Sequence, residues 1–405
     1  MSANLVSDII DLKNYIESQK FKGWDPYDGL NSKVFNAIPL LNRSAVFRLV
    51  WIQLFKRNPI NLRNLFFVPK EYNSKGIALI LQAYCNLHTA VLKNPELSEA
   101  FGSKESLRSQ IIWLSDLLEE MVSPGFSGAA WGYNFPWQCR REFLFPANEP
   151  TVVATHFCAS ALFAAYDTTG IEKYRTTALS SAAFVINDLR RTPHKDGFLF
   201  SYSPMPGNDT IYNASLLGSR LLCLCHKYGD DASLLELARK SVIACCQSQN
   251  EDGSWTYGVK SVTGWIDSFH TGYNLDSLAT YREISGDNSF EGYLNKGTEY
   301  YIKNFFNEDG SPKYYNNKQF PIDIHCPAQF FVSMSRLGRF VEQQKMIEKV
   351  LSWSNNNMKS SKGYYYYQLK KGISSKISYM RWSNAFMLYA LSFLINEMID
   401  NDRFF

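Results

Sequence analysis

Several things this 405-residue chain lacks narrow its reading. No stretch reaches the roughly 18 apolar residues that a membrane span needs. The opening Met-Ser-Ala-Asn-Leu-Val-Ser-Asp has neither the charged start nor the long apolar core of a secretory leader. Lys and Arg form no run or stripe, and the net charge is only +4, so nucleic acid is not an expected partner. The eight cysteines mostly fall inside apolar runs, with no CxxC pair and no zinc spacing. They read as small core residues, so neither a metal nor a cofactor is expected. The expectation is a cytoplasmic protein with no transmembrane segment, in which the sequons at Asn42, Asn208 and Asn213 are chance matches.

Aromatic residues, by contrast, make up 15% of the chain. Many would fill a helical core, but those gathered near loop glycines suit a ring-lined cleft. Those glycines recur. Gly197, Gly253, Gly310 and Gly363 stand 56, 57 and 53 residues apart, each in a polar turn. Apolar helical segments open near His156, Asn213, His270, His325 and Trp382, in steps of 57, 57, 55 and 57. A period this steady marks a structural repeat.

Each unit reads as a helix, a polar turn and a second helix. First helices are expected at 44–57, 104–122, 171–190, 232–248, 289–306 and 340–357. Second helices are expected at 74–92, 151–167, 211–228, 268–285, 325–338 and 381–398. Units of this kind bury their apolar faces only against neighbours. Six hairpins therefore predict an all-α domain, an (α/α)6 toroid over residues 41–405 with the second helices lining the inside. Residues 1–40 would be a lead-in helix and loop. The period breaks between Gly125 and Pro150, where a long irregular connection is the kind that carries function.

The phrase Gln249-Asn-Glu-Asp-Gly253-Ser-Trp255 resembles the QW-type motif of terpenoid cyclases. The wider pattern is similar to α/α-toroid proteins: prenyltransferase β subunits, uronate epimerases, toroidal polysaccharide lyases and six-hairpin glycosidases. The resemblance implies the fold far more than an activity. Class II cyclases carry a D-x-D-D acid motif, which is absent here. Trp24-Asp-Pro-Tyr-Asp-Gly-Leu-Asn31 resembles the start of bacterial proteins from surface-polysaccharide gene clusters, which implies a carbohydrate context.

In such a toroid the polar starts of the inner helices converge. The candidate catalytic residues are His156, His270 and His325, with Asp267 and Asp323 just ahead of two of them and Tyr212 on the same rim. Any one histidine could simply open a helix, and either Asp could be only an N-cap. Candidate substrate contacts are Asn213, Tyr273, Asn274, Arg381 and Asn384, joined from the irregular connection by Trp131, Tyr133, Trp137, Arg140 and Arg141. Flat rings stack on sugar faces, and Arg pairs with carboxylates. This set suits an acidic, uronic-acid-type oligo- or polysaccharide.

Two reactions fit it. An epimerase or lyase needs His or Tyr to abstract a proton beside a carboxylate, whereas an inverting glycosidase needs two facing carboxyl groups. The alternatives are a toroid that binds a glycan or lipid-linked glycan without turnover, or a prenyltransferase- or cyclase-like protein. For the prenyltransferase the only hint is Cys326 beside His325.

Overall fold

The computed structural model describes residues 2–139 and 143–402. The chain opens with α1 (Ser2–Ser18), then forms a cap containing α2 (Lys33–Asn36), α3 (Pro39–Arg43) and α4 (Ala45–Arg57). The inner helix α5 (Ser74–Lys93), a single turn α6 (Ser98–Phe101) and the outer helix α7 (Lys104–Glu120) follow. A hairpin of β1 (Trp137–Cys139) and β2 (Phe143–Phe145) leads to inner α8 (Val152–Thr169) and outer α9 (Glu172–Ala183). The hairpin β3 (Arg191–His194) and β4 (Gly197–Phe200) precedes α10 (Tyr212–Gly229) inside and α11 (Ala232–Cys246) outside. Next come α12 (Ser268–Ser285) inside and α13 (Glu291–Phe305) outside. Strand β5 (Ile322–Asp323) then leads into α14 (His325–Arg336) inside and α15 (Phe340–Met358) outside. Strand β6 (Gln368–Leu369) pairs back on β5 before inner α16 (Phe386–Asp400) closes the chain.

The inner helices pack in the order α5, α8, α10, α12, α14, α16, and α16 returns to α5, so the ring is closed. Every strand belongs to a two-stranded sheet among the described residues, and the expected all-α toroid is what forms. Inner helices are buried nearly all round because both their faces meet protein; α8, for example, buries Val152 through Ala159 without a break. Outer helices bury one stripe, as α7 does with Leu107, Ile111, Leu114 and Leu118. Caps set the inner starts: Asn73 accepts from the Gly76 amide, Thr151 from Ala154 and Asp267 from His270. Left-handed residues at Gly170, Asp230 and Gly286 end three of these helices.

One element differs from expectation. The sequence reading puts α1 in a lead-in and 44–57 in the wall, and the structure exchanges them. Leu5, Ile9, Leu12 and Ile16 of α1 are fully buried and join the main core, where α1 packs on α16. Burying such side chains stabilises the fold by roughly 2 kcal/mol each. Helix α4 instead packs on residues 28–31 and on β1, in a small separate cluster of Leu30, Phe35 and Ile52. Sequence periodicity shows that a helix has an apolar face, but not which neighbour covers it.

The recurrent glycines now have a physical cause. A Cβ at Gly253 would stand 2.4 Å from the Lys296 carbonyl oxygen of α13, and one at Gly310 would stand 2.4 Å from that of Lys349 in α15. At Gly363 it would stand 2.6 Å from the Asp11 carbonyl oxygen of α1. Each turn thus seats against the next outer helix, and the last one seats against α1 and closes the outer wall.

Candidate active site

Asp267 precedes α12 and does more than cap it. Its Oδ1 accepts from the His270 amide at 3.1 Å, while its Oδ2 accepts from Trp265 Nε1 at 2.9 Å and faces His270 Nδ1 at 2.7 Å. The carboxylate therefore fixes the imidazole's orientation. His270 Nε2 makes no hydrogen bond among the described residues, and the side chain stays 21% exposed. Tyr257 lies 4.6 Å from the imidazole, centroid to centroid, and stacks on Trp265. An oriented imidazole with one free nitrogen in a ring-lined mouth can give or take a proton.

Behind His270 runs a buried chain. The Tyr273 hydroxyl lies 2.7 Å from His325 Nε2, and Lys75 Nζ donates to the same hydroxyl at 3.2 Å. The Lys75 ammonium group also sits over the Phe157 ring, 4.1 Å from its centroid. Burial, followed by the Arg381 charge, holds Lys75 well below the usual lysine range. Burial, followed by the Lys75 and Arg381 charges, pushes His325 far down as well, so its imidazole is neutral at pH 7. Burial raises the Tyr273 phenol well above its ordinary value. His325 Nδ1 is buried and has no hydrogen-bond partner among the described residues.

Arg381 enters from the turn before α16, and Asp25, from the segment ahead of the cap, accepts from its Nε at 2.6 Å. Burial opposes the guanidinium charge most strongly, but Asp25, Tyr133 and Tyr27 together hold the Arg381 pKa up. The guanidinium lies over Tyr133, 4.7 Å from the ring centroid, and its terminal nitrogens make no hydrogen bond among the described residues.

The expected residues separate into groups. His270 and His325 both lean on Phe269, at 4.1 and 4.7 Å, and both lie 6.0 Å from the Tyr273 ring. His156 sits about half a turn deeper, because it follows its cap Thr151 by five residues whereas His270 follows Asp267 by three. It borders a chamber of about 10 Å³, room for roughly one water, together with Tyr273, Arg220, Asp276 and Arg336. Burial, followed by the Arg220 and Arg336 charges, keeps His156 neutral. Asn213 and Asn274 border a small void with Asp267 and His270, and each has a buried Oδ1 with no partner among the described residues.

Others serve the frame. Asp323 is fully buried; its Oδ1 accepts from the His325 amide at 3.0 Å and Trp382 Nε1 at 2.9 Å, and its Oδ2 from Gln368 at 3.2 Å. Burial raises its pKa to about 6. Trp131 is no sugar platform: it is fully buried, and its indole N–H donates to the Leu118 carbonyl as Trp255 does to Cys245. Asn384 is spent on Tyr365, Ser378 and Tyr379. Tyr212 turns away from the mouth, its ring 6.0 Å from that of His194. Trp137 stacks on Phe145 at 4.3 Å within the β1–β2 hairpin, so the expected irregular connection is partly a strand pair. Arg140 and Arg141 lie outside the described residues. Sequence reasoning passed over Lys75, Asp25, Arg220, Asp276, Arg336 and Tyr257. Seven of the eight cysteines, Cys326 among them, are buried. Among the described residues, no group of three or more His, Cys, Asp or Glu is placed to hold a metal ion. No helix among the described residues is long and apolar enough to cross a membrane.

A closed ring of six inner helices inside six outer ones, with polar residues at one mouth, defines the (α/α)6 six-hairpin class. Solved structures share it. An unsaturated glucuronyl hydrolase specific for heparin superposes with a TM-score of 0.62 at 11% identity, over 100% of both chains. Cellobiose 2-epimerase from Bacillus thermoamylovorans gives 0.59 at 12% identity, over 82% of this chain and 90% of its own. A GH76 α-mannanase from Bacteroides thetaiotaomicron gives 0.58 at 13%, over 80% and 87%. At such identities the likeness establishes the fold. No protein-family description matches the chain, and no curated protein matches it.

Proposed function

We propose that this toroid is a carbohydrate-active enzyme that acts by proton transfer on an acidic, uronic-acid-type glycan, in the making or modification of a bacterial surface polysaccharide. The observation that carries the reading is the Asp267–His270 pair, whose imidazole is aimed by a carboxylate and keeps Nε2 free. In this reading His270 takes the proton from the carbon beside the sugar carboxylate. The terminal nitrogens of Arg381 offset the charge that develops there. Tyr273, backed by neutral His325, stands on the inner side of the mouth to return a proton. Return to the sugar carbon gives an epimer, and transfer to the leaving oxygen gives an unsaturated product. Saccharide-acting neighbours on the same fold lend support. Two-carboxylate hydrolysis is disfavoured because Asp267 and Asp323 are both buried and each is engaged by three donors.

The test is deuterium uptake. Uronate oligosaccharides incubated with the protein in heavy water should gain deuterium beside the carboxylate or yield an unsaturated product. His270→Ala should slow either by about 10²–10⁴-fold while leaving saccharide affinity within a few-fold. Glycosidic cleavage without label or unsaturation, undiminished in His270→Ala, would establish a hydrolase instead.

A further inference from the structure

The cap carries a surface that the rest of the molecule does not explain. Between Asp28 and Glu71 the chain holds seven basic residues and no acidic one. Nine of the sixteen large apolar side chains exposed among the described residues fall within residues 38–67. On α4, Val46, Phe47, Val50 and Leu54 form one outward face, and Leu40 of α3 beside them is 77% exposed. The opposite face of α4 is committed inward through Ile52 and Phe55, with Trp51 Nε1 donating to the Gly29 carbonyl at 3.1 Å. The cap is therefore a folded amphipathic element with an open side. Lys33, Arg43 and Arg57 stand exposed around that side.

Soluble surfaces rarely concentrate apolar side chains in this way unless something covers them. The charge selects what. A second copy presenting the same face would bring Lys33, Arg43 and Arg57 against their own copies with no acidic residue between Asp28 and Glu71 to offset them, which opposes a symmetric pairing. An anionic lipid surface offers both an apolar layer for Val46, Phe47, Val50 and Leu54 and negative headgroups for the surrounding Lys and Arg. We propose that the α3–α4 face of the cap docks on an anionic membrane surface. The cap adjoins the mouth, since Asp25 and Tyr27 just ahead of it meet Arg381 and Trp382. Docking thus brings the mouth to the lipid surface, where a lipid-linked glycan would be presented. The docking itself does not depend on the reaction inside.

The experiment is vesicle flotation with the full-length protein. Wild type should float with vesicles containing phosphatidylglycerol and stay behind with pure phosphatidylcholine. Arg43→Gln/Arg57→Gln should weaken binding by about fivefold per charge removed. Phe47→Ser/Val50→Ser/Leu54→Ser should abolish it. These positions are exposed, so both variants should keep the wild-type circular dichroism and melting temperature. Failure of wild type to float, or equal flotation of all three proteins, overturns the proposal. A concentration-dependent dimer in light scattering that the triple variant dissolves also overturns it, in favour of a second copy on this face.

Discussion

At the scale of single residues, the candidate site joins one local pair, Asp267 and His270, to partners brought in from distant parts of the chain, such as Asp25 on Arg381. His270 and Asp267 were legible because an N-cap three residues ahead of a histidine brings the two side chains together within one helical turn. Lys75 was not, because a lone lysine near a helix start looks solvated until the ring that buries it has closed. Asp25 was beyond reach as well, lying 356 residues from the Arg381 it holds. Asp323 was noticed for its place beside His325, but its burial makes it a frame residue with a measurable signature. Burial raises its pKa from 3.8 to about 6, so in that window the folded state keeps a proton the unfolded chain has released. Its contribution is therefore full below pH 4 and is lost as pH rises through 6, a swing of about 3 kcal/mol at most. Asp323→Asn keeps an oxygen for the His325 amide and Trp382 and gives up the bond from Gln368. Urea unfolding should then show wild type losing stability between pH 4 and 7 relative to this variant. Parallel curves would show that Asp323 is ionised throughout.

At the scale of elements, the glycine spacing carried most of the fold. Five of the six expected outer segments and all six inner ones lie where the period put them, because each turn glycine must pack against a backbone carbonyl of the next outer helix. The sixth failed for the same physical reason. Gly363 seats not on a helix that follows it but on α1, so ring closure uses the start of the chain. Gly363 has φ +86°, and a methyl group there would press on the Asp11 carbonyl oxygen. Gly363→Ala should therefore cost about 2 kcal/mol or more in denaturant unfolding. The loss should come with faster amide exchange in α1 than in α12. A variant as stable as wild type would mean that α1 does not close the wall. The acid-free character of residues 29–70 escaped notice at the sequence level because the basic residues are spaced among apolar ones and form no run.

At the scale of the whole molecule, the mouth and the cap have to be considered together. The two chambers beside the histidines and Asn213 hold no more than about 10 Å³ each, far short of a sugar, although His270 keeps partial access. Two larger cavities, of about 470 Å³ each, lie on the outer wall against α15 and away from every proposed catalytic side chain. A saccharide can reach Tyr273 and Arg381 only if the mouth widens, and the inner ring is too tightly packed to supply that space. The cap is the part that can move. Its core is the small cluster around Leu30, Phe35 and Ile52. Its polar ties to the rest of the molecule are few: Arg63 donates to Asp28, Tyr379 and the Asp25 carbonyl, Arg48 donates to Gln138, and Lys370 donates to the Arg57 carbonyl. Few buried apolar contacts mean a low opening free energy. Hydrogen exchange should therefore show amides of α2 to α4 exchanging well before those of α12 and α14. A bound uronate oligosaccharide should slow exchange near Asp25 and Arg381. Uniform exchange across cap and ring, with saccharide bound all the same, would mean that the mouth admits its ligand without moving the cap.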